Sequence, residues 1–124
     1  MKKILLLLLL ICLTVHANVE FLNNNNFNNK ISKGIVVVEY WAEWNNTNKF
    51  KELKELKDCT VYRACIAKCN DSANKYNIKA IPTVIIYDNG EEVARFSPNI
   101  MLQLEATGKD VQSAIDEIVL NKFQ

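Results

Sequence analysis

The order of apolar and polar positions along this 124-residue chain changes period several times. Ile35-Val36-Val37-Val38 is a β-branched run that predicts a buried strand over Ile35–Tyr40. Glu39 stands inside that strand, and Tyr40-Trp41-Ala42-Glu43-Trp44 follows. Asn45-Asn46-Thr47-Asn48 are helix-capping residue types, and Phe50, Leu53 and Leu56 then recur at helical spacing, which predicts a helix over Thr47–Lys57. A strand running into a helix start would aim backbone N–H groups and the positive end of a helix dipole at whatever binds there.

Before that unit, Asn18–Leu22 reads as a short first strand. Phe27, Ile31 and the stop at Gly34 suggest a helix over Asn24–Lys33 despite its asparagines. After it, Thr60–Ala67 reads as a strand, with Val61, Arg63 and Cys65 on one side and Tyr62, Ala64 and Ile66 on the other. Ser72–Tyr76 is a short helical segment. Val84–Tyr87 and Glu92–Phe96 flank the turn signal Asp88-Asn89-Gly90 as a hairpin. Alternation over Ser97–Ala106 predicts an extra strand or an extended edge. The last helix should start near Thr107, with Asp110 in its first turn and Val111, Ala114, Ile115, Ile118 and Val119 facing the sheet.

The apolar run Ile4–Val15 follows Lys2-Lys3 and ends at Val15-His16-Ala17, the layout of a secretory signal peptide over residues 1–17. Its 12 residues fall short of the ~20 that a membrane span needs; an uncleaved anchor is the alternative. Residues 18–124 then form one domain, exported to a periplasm or secreted, with no stable membrane span. Removing Lys2 and Lys3 leaves 13 basic against 14 acidic residues. No basic surplus points to nucleic acid. The only histidine, His16, falls in the leader, so the domain has no imidazole for general-base work, nucleophile activation or metal ligation. No metal site or cofactor is expected.

Three cysteines remain, Cys59, Cys65 and Cys69, an odd number for an exported chain. A Cys59–Cys65 disulfide is ruled out by a strand between them, which separates the two by ~20 Å. Cys65–Cys69 could close only if the chain turns sharply after Ala67. Two Asn-x-Ser/Thr sequons, at Asn45 and Asn70, matter only in a eukaryotic secretory pathway.

Two blocks resemble the thioredoxin family. Trp41-Ala42-Glu43-Trp44 and Lys49 match its active-site signature, Trp-Ala-Glu-Trp-Cys-Gly-Pro-Cys-Lys. Lys75-Tyr76, Ile78, Ile81-Pro82-Thr83 and Asn89-Gly90 match its second motif. The resemblance covers nearly all of residues 18–124. It implies an α/β thioredoxin-like fold, a mixed central β-sheet flanked by helices, with Ile81–Pro82 cis. It also implies that Glu39 takes the place of the family's buried Asp and Arg63 that of a neighbouring lysine, as a buried structural pair. The four positions that should read Cys-Gly-Pro-Cys read Asn45-Asn46-Thr47-Asn48.

An amide can neither attack a disulfide nor resolve a mixed one. The expectation is therefore a redox-inactive thioredoxin-like module without catalytic residues at the degenerate positions Asn45 and Asn48. It would bind an unidentified protein or peptide in the former active-site groove, at Trp44, Asn45, Ile81, Pro82 and Thr83. The alternative is an atypical thiol-disulfide oxidoreductase that uses Cys69, a position where some thioredoxins carry an extra cysteine, or Cys65.

Overall fold

A computed structural model describes residues 18–124. The leader expected over residues 1–17 lies outside the described residues. Among the described residues five strands form one mixed sheet: β1 (Glu20–Leu22), β2 (Ile35–Trp41), β3 (Thr60–Cys65), β4 (Thr83–Asp88) and β5 (Glu91–Phe96). Their spatial order is β1-β3-β2-β4-β5. The β1–β3 and β3–β2 pairs are parallel, and β4 runs antiparallel to both β2 and β5. Among the described residues three α-helices flank it: α1 (Phe27–Ile31), α2 (Asn70–Lys75) and α3 (Gly108–Asn121).

Strand β2 is buried on both faces, as its unbroken apolar run requires in the middle of a sheet. Val36, Val38 and Tyr40 pack with Phe27, Ile31, Tyr62 and Tyr87 under α1 and α2. Val37 faces the other way, onto Phe50, Leu53, Val111 and Ile115 under α3. Between β4 and β5, Asn89 (φ 50°) and Gly90 (φ 86°) both take positive φ, as a two-residue hairpin of this twist demands. Thr107 caps α3: its Oγ1 accepts from the Asp110 N–H, and the Asp110 carboxylate accepts from the Thr107 N–H.

The helix expected over Thr47–Lys57 does not form. Two short 3₁₀ segments replace it, Glu43–Asn48 and Leu53–Glu55, with Lys49 extended (φ −60°, ψ 151°). The cause lies in the backbone of Phe50. Its N–H donates to Glu39 Oε2 (2.6 Å), and its carbonyl accepts from Arg63 (2.9 Å). Both groups are thereby withdrawn from any helical ladder. Among the described residues, no α-helix begins after Trp44 to aim its dipole there, contrary to the sequence-based expectation.

The extra strand expected over Ser97–Ala106 is also missing. Asn99 folds the segment on itself: its Oδ1 accepts from the Met101 and Gln103 N–H groups, and its carbonyl accepts from the Leu102 N–H. This is the local competition with strand pairing that asparagine provides. Of the alternating residues behind the expectation, Ile100 (97 % exposed) and Met101 (69 %) face solvent, while Leu102 and Leu104 are partly buried without pairing to the sheet. Strand β3 stops at Cys65 because the Lys68 and Cys69 N–H groups both fold back to the Cys65 carbonyl (2.9 Å each).

Candidate functional site

The site lies where the C-terminal end of β2 meets the loop that enters β4. Ala42 ends the extended chain, and the Asn45 N–H donates back to its carbonyl (3.0 Å), starting the 3₁₀ turn. Asn45 has a non-helical backbone inside that turn (φ −113°, ψ 30°). This directs its side chain inward, where the residue is only 7 % exposed. Its Nδ2 donates to the Ile81 and Leu102 carbonyls, each at 3.2 Å, and its Oδ1 accepts from Asn48 Nδ2 at 2.8 Å. Both Nδ2 hydrogens and one lone pair of Oδ1 are thus in use. Asn45 therefore joins three pieces of chain: its own turn, the loop before β4 and the Asn99–Leu102 loop.

The Ile81–Pro82 peptide bond is cis, as the resemblance implied. Ile81 and Pro82 are buried, and Thr83 is fastened to its own loop by an Oγ1 hydrogen bond to the Ala80 carbonyl (2.6 Å). Trp44 stands in the open at 69 % exposure. Beside it opens a cavity of about 360 Å³ lined by Trp44, Ile66, Ile78, Ile81, Leu102 and their neighbours on α2 and the Lys79–Ala80 turn. Trp44 and Ile81 of the expected groove thus line one cavity, and Asn45 braces it from below. Thr83 lines a separate cavity on the other side of Lys79, with Arg95 and Pro98.

Leu102 and Lys79 were not singled out from the sequence. Lys79 was within reach, two residues before the Ile81 of the motif. Leu102 was not, because only the folded loop carries it to the cavity, at φ 57°.

Glu39 and Arg63 are paired as expected. They are register partners on β2 and β3, and Arg63 Nε donates to Glu39 Oε1 at 2.8 Å. Glu39 is fully buried, and burial pushes its carboxyl pKa up; the Phe50 N–H and the Arg63 guanidinium oppose that shift. The pair's contacts run to the Phe50 backbone, so it fixes the chain leaving the site.

Among the described residues the cysteines, Cys59, Cys65 and Cys69, are free. Cys69 is not the accessible thiol that a nucleophile needs. It is fully buried, its thiol donates to the Leu22 carbonyl (3.1 Å), and burial pushes its pKa up to about 11. Cys59, partly buried, is likewise pushed up to about 11, by burial and then by Asp58. Cys65 is partly exposed at the end of β3, paired in register with Trp41. The chain turns sharply at residues 66–68, directly after β3, but Cys65 and Cys69 are not bonded.

The thioredoxin family model matches residues 18–110. This chain belongs to the thioredoxin family. Among its relatives, a thioredoxin of Chlamydia pneumoniae is 32 % identical over 83 residues, 62 % of this chain and 81 % of that one. A Staphylococcus epidermidis thioredoxin is 32 % identical over 77 residues, 56 % of this chain and 74 % of that one. A mutant thioredoxin from Halobacterium salinarum NRC-1 superposes with a TM-score of 0.63 at 16 % identity, covering 82 % of this chain and 95 % of that one. A chain from a study of the thiol resolving mechanism in yeast mitochondrial 1-Cys peroxiredoxin gives 0.61 at 17 % identity, over 81 % and 95 %. These structural likenesses concern the fold. The thioredoxin architecture is therefore kept here, with Asn45 and Asn48 in the turn that follows Trp44.

Proposed function

We propose that this chain is a redox-inactive, exported member of the thioredoxin family that binds an extended polypeptide segment in the groove beside the cis Ile81–Pro82 bond. The observation that carries the reading is Asn45. At the position of the family's nucleophile stands an amide whose oxygen and nitrogen are occupied by Asn48, Ile81 and Leu102. Its nitrogen lone pair is delocalised into the carbonyl, so the amide cannot serve as the thiolate does in attacking a disulfide. The groove around it persists: Trp44 is exposed, an apolar cavity lies open, and the cis bond is kept. Binding by backbone pairing and side-chain burial needs no thiol.

A second reading keeps thiol chemistry and rests on Cys65, the partly exposed cysteine at the end of β3. The separating experiment uses residues 18–124 purified without reductant. Reduction of a disulfide-bonded test protein is followed with dithiothreitol as electron source. The comparison is a variant with Cys59, Cys65 and Cys69 all replaced by Ser. The binding reading expects background rates from both proteins. A rate in the parent that disappears in the variant would replace it with the enzymatic one.

A further inference from the structure

We infer that this groove, taken as the polypeptide site proposed above, selects a segment that puts a large apolar side chain into the cavity beside Trp44 and an acidic side chain against Lys79. The cavity is at the small end of the ~300–1,000 Å³ range of ligand pockets, sized for one or two side chains. Its wall is mainly apolar, from Trp44, Ile66, Ile78, Ile81 and Leu102. The rim continues that character outward, because Leu102 belongs to the loop whose tip exposes Ile100 and Met101. Asn99 and Asn45 hold that loop with hydrogen bonds to its backbone, so the apolar surface is ordered before any partner arrives.

Charge sets the second half of the motif. Lys79 is exposed, is the one charged residue lining this cavity, and forms no ion pair among the described residues. It also lines the cavity on its other side, where the remaining charge is Arg95. Arg95 is committed to Glu92 through two hydrogen bonds. No carboxylate among the described residues lines either cavity. A partner lysine there would meet only positive charge, and a partner carboxylate would meet an unneutralised ammonium and the amides of Asn70 and Asn74.

The test measures fluorescence anisotropy of three labelled peptides in one Gly-Ser frame, centred on Glu-Leu-Glu, Lys-Leu-Lys or Glu-Ser-Glu. Each is titrated with residues 18–124 and with the Lys79→Glu variant, whose folding is checked by thermal melting. At low salt Glu-Leu-Glu should bind the parent about three- to tenfold more tightly than Lys-Leu-Lys, with the ratio shrinking as salt is added. Lys79→Glu should reverse the order. Glu-Ser-Glu should bind roughly tenfold more weakly than Glu-Leu-Glu, from loss of the buried leucine. Equal binding of the two leucine peptides, or a preference unchanged by Lys79→Glu, would overturn the acidic selection and leave groove binding standing. Binding of Glu-Ser-Glu as tight as Glu-Leu-Glu would overturn the apolar anchor. Absence of binding by all three would overturn the selection together with the polypeptide reading.

Discussion

The side-chain amide of Asn45 donates to the carbonyl of Ile81, the residue before the cis-proline, across 36 positions of sequence. The same nitrogen reaches the Leu102 carbonyl, so one side chain closes the turn, the proline loop and the last long loop into a unit. Replacement by Ala removes three hydrogen bonds and leaves buried carbonyls without a donor. Asn45→Ala should cost about 2–3 kcal/mol in urea denaturation. Asn45→Asp keeps the shape but sets an acceptor-only group against two carbonyls, and should cost at least as much. A loss below about 0.5 kcal/mol in both variants would show that the amide is not bracing the site.

Glu39 organises the other side of the same segment. Its two carboxylate oxygens hold the Phe50 N–H and Arg63. Glu39→Gln leaves the guanidinium, whose side chain is 13 % exposed, without its counter-charge. The expected loss is about 3 kcal/mol, the lower end for breaking a buried pair, because Arg63 retains some contact with water. An Arg63→Met change made together with Glu39→Leu should recover only part of that loss, since the charges leave together but the Phe50 N–H and carbonyl lose their partners. Equal stability of Glu39→Gln and the parent would contradict the pairing.

The thiols should separate by access and by pH. Iodoacetamide should label Cys65 first, Cys59 more slowly and Cys69 only as the protein unfolds. Cys59 and Cys69 have folded pKa values of about 11 against an ordinary value of 9.0. A raised folded pKa makes the neutral thiol the form that the fold favours. Their contribution to stability is therefore complete below pH 9 and is lost as pH rises from 9 towards 11. Melting temperature measured across that interval should fall, and a Cys59→Ala, Cys69→Ala variant should show a smaller alkaline slope than the parent. An identical slope in the two proteins would place the alkaline sensitivity elsewhere.

Restoring sulfur tests whether the scaffold still supports the family chemistry. Asn45→Cys with Asn48→Cys in the background lacking Cys59, Cys65 and Cys69 should give disulfide reduction above the background rate. The rate should be well below that of a thioredoxin with a continuous helix after its active site, because a broken 3₁₀ turn offers little dipole to lower a thiol pKa. A rate matching such a thioredoxin would show that the turn converts to an α-helix when the asparagines leave.

Much of the sheet could be read directly. The unbroken apolar run of β2, the Asn89-Gly90 hairpin and the Thr107 cap each follow from local residue types, and each stands where it was expected. The cis bond and the Glu39–Arg63 pair came through the family resemblance. Two elements were misread for one reason. Helical spacing around Phe50 and alternation around Leu102 are valid local signals, but distant or side-chain acceptors had claimed the backbone. Glu39, 11 residues earlier, takes the Phe50 N–H, and Asn99 takes those of Met101 and Gln103. The cavity was illegible because Ile66, Lys79 and Leu102 come from three separate parts of the chain.

The most direct measurement is an amide NMR titration of residues 18–124 with a reduced, S-carboxymethylated test protein, which is unfolded and offers no disulfide or thiol. Polypeptide binding in the groove predicts shifts or broadening at Trp44, Asn45, Lys79–Ile81, Thr83 and Ile100–Leu102, with the outer face of α3 unchanged. Shifts confined to α3 or β5, or a spectrum that does not change, would contradict binding beside the cis-proline.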